Sequence, residues 1–260
     1  MIDNILYYVQ LSLTSLADLI LPRRCIVCEE KLGLDEKHLC HACNSDMPLT
    51  YFWQRKHNPM ADKFNDAIQK ELEKRWAREG YDHGPHERYV YASALFFFND
   101  DADYKRIPYS IKYDRNLNAG KHFGIRIGHH LSNSEWFQDI DAIIPVPLHW
   151  FRRWKRGYNQ AEIIASGISQ EMKAPIRTDI LKRKKYTKTQ IRLSITEKSR
   201  NVSGAFDVIP GSYEGINHIL LVDDVFTTGS TLLACYMALR KTFPPSVRIS
   251  IATLGFVGHC

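Results

Sequence analysis

The sequence predicts an α/β protein: a mostly parallel sheet flanked by helices, with a small metal-stapled module at the N-terminus. From Tyr89 onward, short apolar runs alternate with helical stretches, the order that buries a parallel sheet between helix layers. Ahead of them, four cysteines fall as C-x2-C-x11-C-x2-C, a spacing suited to one tetrahedral metal. At 260 residues the chain can bury one sizeable core and still carry such a module.

The four cysteines are Cys25, Cys28, Cys40 and Cys43. A two-residue gap lets both thiolates of a knuckle reach one ion, and the longer loop brings the second knuckle round to close the shell. Structural zinc is the expected occupant; an iron-bearing site and two disulfides are the alternatives. Four thiolates leave no open position, so the site reads as structural rather than catalytic. Cys235 falls in a helical stretch and reads as a small buried hydrophobe. Neither it nor Cys260 is assigned a role.

Three segments are expected. Residues 1–50 hold an N-terminal helix and the ribbon, 51–88 a polar helical connector, and 89–260 the α/β domain. In the first, Ile2, Ile5, Leu6, Val9, Leu13, Leu16 and Ile20 recur at helical spacing. The stretch lacks a basic start and a cleavage site, so it reads as an amphipathic helix rather than a signal peptide. In the connector, residues 61–78 are helical, with Phe64, Ile68, Leu72 and Trp76 four apart, and Gly80 ends the run. In the last segment YVYASALFFF is a strand, a short helix opens at Pro108, and residues 117–131 are helical. DAIIPVP is a short buried strand and NQAEIIASGISQEM a helix. IRTDILKR is a strand, followed by a basic loop and then AFDVI. HILLVDD is a strand, STLLACYMALRKTF a helix and VRISIATLGF the last strand. Ligands sit at the carboxyl ends of strands in such sheets, so the ends of HILLVDD and DAIIPVP are expected to face one cleft.

Composition narrows the function classes. With 44% hydrophobic and 25% charged residues, wholesale disorder is excluded. A formal charge of +6 suits an anionic ligand or nucleic acid without requiring either. No run of about 18 uncharged apolar residues exists, so no membrane span is expected. With no export signal, the reducing cytoplasm is the expected compartment.

The chemistry concentrates in LLVDDVFTTGST, residues 220–231. Gly229 permits positive φ, and a helix opening there offers free N–H groups and a positive dipole end to a phosphate. Thr227, Thr228, Ser230 and Thr231 add hydroxyls. Neither G-x-x-x-x-G-K-[ST] nor G-x-G-x-x-G is present, so this is a phosphate cradle without lysine. Asp223 and Asp224 would repel a phosphate. They make sense if they hold sugar hydroxyls, a divalent metal, or both, on the same ligand. A helix cap with solvated acids is the alternative.

HILLVDDVFTTGSTL resembles the binding motif of type I phosphoribosyltransferases, with Phe226 where that family usually has an aliphatic residue. IIPVPLHWFRRWKRGYNQAEIIA resembles the P-V-P…R…R-G-[FY]-N-Q segment of the ComF family, competence-associated relatives of amidophosphoribosyltransferases. RKKYTKTQIRLSITEKSRNVSGAF resembles that family's basic loop, with Lys198 where the pattern has arginine. The four-cysteine ribbon is typical of ComF proteins too. The resemblance is sharpest over residues 21–43 and 141–255. It implies a type I phosphoribosyltransferase-like fold and phosphoribosyl pyrophosphate with magnesium as ligand. Asp223 and Asp224 would take the ribose hydroxyls, and Thr227, Thr228, Gly229, Ser230 and Thr231 the 5′-phosphate. Val146, Pro147, Leu148 and Arg156 would take the pyrophosphate, and a flexible loop would contain Arg183, Gln190, Lys198 and Asn201. Lys112, in SIKYD, also resembles a family lysine.

Two functions follow from different classes. One is magnesium-dependent transfer of the phosphoribosyl group to an acceptor. No general base is assigned to it. Met1 leads to Ile2, so the N-terminal cysteine of a glutamine-amidotransferase domain is missing and direct use of glutamine is not expected. The other is non-catalytic: a retained pocket that senses the ligand, with the ribbon and basic surface serving DNA uptake and single-stranded DNA or the uptake machinery as partner. The basic loop over 183–204 serves as a lid in the first and contacts nucleic-acid phosphates in the second.

Overall fold

The computed structural model describes residues 22–81, 87–99, 102–184 and 204–258. Its centre is a four-stranded sheet in the order β1-β6-β5-β2, formed by β1 (Ala92–Phe98), β2 (Ala142–Pro145), β5 (His218–Phe226) and β6 (Arg248–Val257). Every pairing is parallel, and β5 is hydrogen-bonded on both sides, Ile219 lying opposite Ala142 and Ile249. These strands are continuous apolar runs because helices cover both faces.

Strand alternation along β5 divides two cores. Ile219 and Leu221 pack with α2 (Pro59–Glu79) and α7 (Ser230–Leu239), through Phe64, Ile68, Leu72, Leu232, Tyr236 and Leu239. Leu220 and Val222 pack with α3 (Arg106–Tyr113), α4 (Leu117–Ser132) and α6 (Gln160–Met172), through Ile111, Phe123, Ile127, Ile164 and Ile168. Helix α2 begins at Asn58, whose Oδ1 accepts from Ala61 N at 2.9 Å, with Pro59 in the first turn.

The ribbon holds one short helix, α1 (His41–Ser45). Cys25, Val27, Leu32, Leu39 and Met47 enter the same core as α3 and α4. Tyr104 donates to Cys43 O at 2.8 Å, and Arg106 pairs with Glu29 at 2.6 Å. The ribbon is therefore docked on the sheet body.

Three elements differ from expectation. IRTDILKR is not one strand of the main sheet. Only Ile176 bridges to Ile143, and Leu181–Arg183 forms β3 in a separate antiparallel pair with β4 (Phe206–Val208). The partners lie on either side of the basic loop, so their pairing is not a local pattern. The third difference is α5 (Trp150–Arg156), a helix in a stretch where no apolar periodicity marks one. The N-terminal helix expected over residues 1–21 lies outside the described residues.

Candidate functional site

The ribbon site is assembled from two knuckles. The sulfurs of Cys25, Cys28, Cys40 and Cys43 all lie within 4.8 Å of one another. Cys28 and Cys40 stand 3.6 Å apart, well beyond a disulfide bond. Cys40 also caps α1, its sulfur accepting from Cys43 N at 3.4 Å. Four converging soft donors fit zinc, and the site is a structural zinc ribbon. Because the ribbon shares a core with α3 and α4, metal loss should loosen that face as well. We expect one zinc per chain, and chelation to lower Tm by at least about 5 °C in scanning calorimetry. Full zinc removal with Tm unchanged would show that the ribbon does not depend on metal.

The second centre forms at the carboxyl end of β5. Alternation sends Asp223 and Asp224 to opposite faces of the sheet. Each steadies the turn, since Asp224 N donates to Asp223 Oδ1 at 2.9 Å and Val225 N to Asp224 Oδ1 at 2.8 Å. Asp224 is buried and pairs through Oδ2 with Lys112 Nζ of α3 at 2.5 Å. Burial opposes the Lys112 charge, but Asp224 and Asp223 outweigh it and hold its pKa up. Asp223 faces the α7 side, where its charge is felt by the buried Cys235 and by Arg183. Burial, then the neighbouring Asp224, push the Asp223 carboxyl up to about 8.

That shift has a sign that can be tested. Above about pH 4 the unfolded chain ionises Asp223, whereas the folded chain keeps its proton until about pH 8. The folded state binds the extra proton in between, so stability falls as pH rises through this window. Asp223→Asn should therefore raise Tm relative to the parent by about 2–4 °C at pH 7.5 and leave it unchanged below pH 4. A Tm difference that is constant across this range would overturn the assignment.

Beyond the acids the chain turns into α7. Gly229 takes φ 74°, and a Cβ there would meet Phe226 Cζ at 2.6 Å, so the loop rests on the Phe226 ring and admits only glycine. Thr228 Oγ1 lies 2.8 Å from Ser230 Oγ and accepts from Ser230 N at 3.4 Å. Thr227 is exposed at the rim. This is a concave turn of hydroxyls over the positive end of a helix.

Strand β2 ends beside it. Val146 N donates to Val222 O at 2.8 Å, so that N–H is consumed by β5. Pro147 has none, which leaves Leu148 as the N–H donor of this stretch. Asn159 caps α6 and donates to Val146 O at 3.0 Å, bracing the turn rather than facing a ligand. Arg156 is held by Gln160 Oε1 at 2.6 Å and stacks over Tyr113 at 5.8 Å. Arg183, expected in the flexible loop, is instead a β3 residue with its guanidinium 5.1 Å from the Phe206 ring. Gln190, Lys198 and Asn201 lie outside the described residues.

Two residues were not singled out by sequence. His149, directly after the P-V-P-L turn, is buried and accepts from Phe151 N at 3.3 Å. Burial, then Arg183 and Arg152, lower its pKa and keep the imidazole neutral. Lys63 reaches the loop from α2, donating to Thr227 O at 3.0 Å. The cradle without lysine in its own sequence thus receives one from elsewhere.

A parallel sheet with helices on both faces and an N-terminal four-cysteine ribbon is a type I phosphoribosyltransferase-like α/β fold. A profile for the double zinc ribbon domain matches residues 16–52. Competence protein F of Haemophilus influenzae is 44% identical over 102 residues, covering 39% of this chain and 44% of that protein. DNA utilization protein YhgH of Escherichia coli K12 is 31% identical over 121 residues, 46% of this chain and 52% of that one. Competence protein ComFC of Bacillus subtilis is 37% identical over 92 residues, 35% of each. These partial likenesses, together with the double zinc ribbon match, support a relationship to the ComF family. The chain spans about half the length of the first two of these relatives. No helix among the described residues is long and apolar enough to cross a membrane.

Proposed function

We propose that this chain binds phosphoribosyl pyrophosphate with magnesium and acts in DNA uptake. The observation that carries the ligand is the single turn over 223–231, where two carboxylates and an anion cradle stand a few residues apart at one strand end. Asp223 and Asp224 take the ribose hydroxyls. Residues 227–231 wrap the 5′-phosphate through N–H and hydroxyl donors. Leu148 and Arg156 face the pyrophosphate. The two adjacent carboxylates of this turn suit a magnesium ion held mainly by ligand phosphates and water, where it would neutralise the leaving pyrophosphate. Placed charge is what the residues offer to transfer: an arginine at the leaving group and carboxylates where positive charge grows on the sugar. Calorimetric titration of the full chain with phosphoribosyl pyrophosphate and magnesium tests the reading, and no binding by the parent protein ends it. Pyrophosphate release across a panel of bases and amines distinguishes transfer from sensing.

The competence and DNA-utilization names of the relatives support the uptake role. One surface favours direct contact with single-stranded DNA. On α5, Trp150 and Trp154 are 70% and 77% exposed, and Phe151 packs near Trp154 with ring centroids 6.3 Å apart. Arg152, Arg153, Lys155 and Arg156 interleave with them, and Tyr109 and Tyr113 lie beyond. Aromatic faces among arginines are what unpaired bases and their phosphates need, at about 1–3 kcal/mol per stacked base. Trp150→Ala/Trp154→Ala should weaken binding of a single-stranded oligonucleotide about tenfold or more in gel shift, with phosphoribosyl pyrophosphate affinity unchanged. No parent affinity even at low salt would remove this contact.

A further inference from the structure

We infer that Lys63 is the cation of the phosphate cradle, supplied to the loop over 227–231 by a helix distant in sequence. The inference rests on the 5′-phosphate reading of that loop and adds a ligand-binding residue to it.

The position of Lys63 is built rather than incidental. Asn58 Nδ2 ties the start of α2 to Ala92 O at 3.0 Å, and Asn65 exchanges hydrogen bonds with Val90 O and N at 2.9 Å each. Phe64 packs edge-on against Phe226 and Tyr236, with centroids 6.1 and 5.9 Å away. Lys63, the residue before Phe64, is thereby aimed across the rim of the turn.

The surroundings of the ammonium group carry the inference. Lys63 Nζ donates to Thr227 O at 3.0 Å and lies 5.7 Å from the Phe226 ring and 6.0 Å from the Phe256 ring. Among the described residues no carboxylate pairs with it. A carbonyl dipole and two ring faces therefore hold a full charge beside the positive end of α7, the wrong sign for a cation. The exposed side of Lys63 is open to a bound anion that would bridge it to the helix end. An ammonium group has three N–H donors and Thr227 takes one, so two remain for phosphate oxygens. Phe226, the one apolar departure in the loop motif, is the floor beneath Gly229 and also the seat of this cation. The ligand class is a phosphomonoester dianion presented by a sugar.

The test is calorimetric titration of the full chain with ribose 5-phosphate, and separately with magnesium pyrophosphate. Lys63→Gln should weaken ribose 5-phosphate about tenfold, Lys63→Arg should retain most of the affinity, and magnesium pyrophosphate should change less than twofold in either. Lys63 is exposed, so both variants should fold, and Tm checks that they do. Parent binding with equal ribose 5-phosphate affinity in Lys63→Gln overturns the inference alone. Equal losses for both ligands together with a fall in Tm make Lys63 a loop staple and overturn it too. Failure of the parent protein to bind ribose 5-phosphate or phosphoribosyl pyrophosphate removes the phosphate reading itself, and the inference with it.

Discussion

Gly167→Ala should cost at least about 3 kcal/mol of stability, seen as a fall in Tm of roughly 6–12 °C. Helices α4 and α6 meet backbone to backbone. A Cβ on Gly167 would lie 2.2 Å from Lys121 O and 2.5 Å from Ile125 N, and one on Gly124 would lie 2.2 Å from Ile164 O. Backbone atoms cannot rotate away as side chains can, so the helices must separate. Separation opens the core under Phe123, Ile127, Ile164 and Ile168, all buried at 4% exposure or less. Chemical denaturation measures the effect directly, and a loss below about 1 kcal/mol would show that this contact yields easily.

Removing both acids of β5 should have the largest effect on ligand. Asp223→Asn/Asp224→Asn is expected to lower phosphoribosyl pyrophosphate affinity at least about 100-fold. Asp224→Asn exchanges a Lys112-paired carboxylate for a neutral amide, Asp223→Asn replaces a carboxyl whose raised pKa leaves it largely protonated at pH 7.5, and hydrogen bonds to charged groups contribute about 1.5–3 kcal/mol each. The single variants separate binding from folding. Asp224→Asn also strands the Lys112 charge, so it should bind weakly and unfold earlier. Asp223→Asn has no such partner; it should bind at least tenfold more weakly while melting higher at pH 7.5. If Asp223→Asn binds as tightly as the parent, the ribose is not held there.

Much of this was legible in the sequence, because the signals are local. The strands of the main sheet are short apolar runs and the helices between them keep their period, so β1, β2, β5 and β6 lie where the pattern puts them. The cysteine knuckles carry their own spacing. What escaped depends on distant partners. The β3–β4 pair joins residues on either side of a long loop, and no local pattern announces it. Helix α5 escaped because its aromatics face outward and leave no buried stripe. Glycines 120, 124 and 128 stand four apart, a small-residue stripe that could have signalled the close crossing with α6. Lys63 meets Thr227 across 164 residues, and only the folded chain brings them together.

The interior position of β5 has an evolutionary consequence. The strand that carries the acids is fixed on both sides by neighbours and above and below by the two cores. The β3–β4 pair and α5 attach at the sheet's margin. Changes in those marginal segments can accumulate without disturbing Asp223, Asp224 and the turn that follows them. Descendants of such a protein can acquire new margins, and with them new specificities, while the strand end at 223–231 is inherited unchanged.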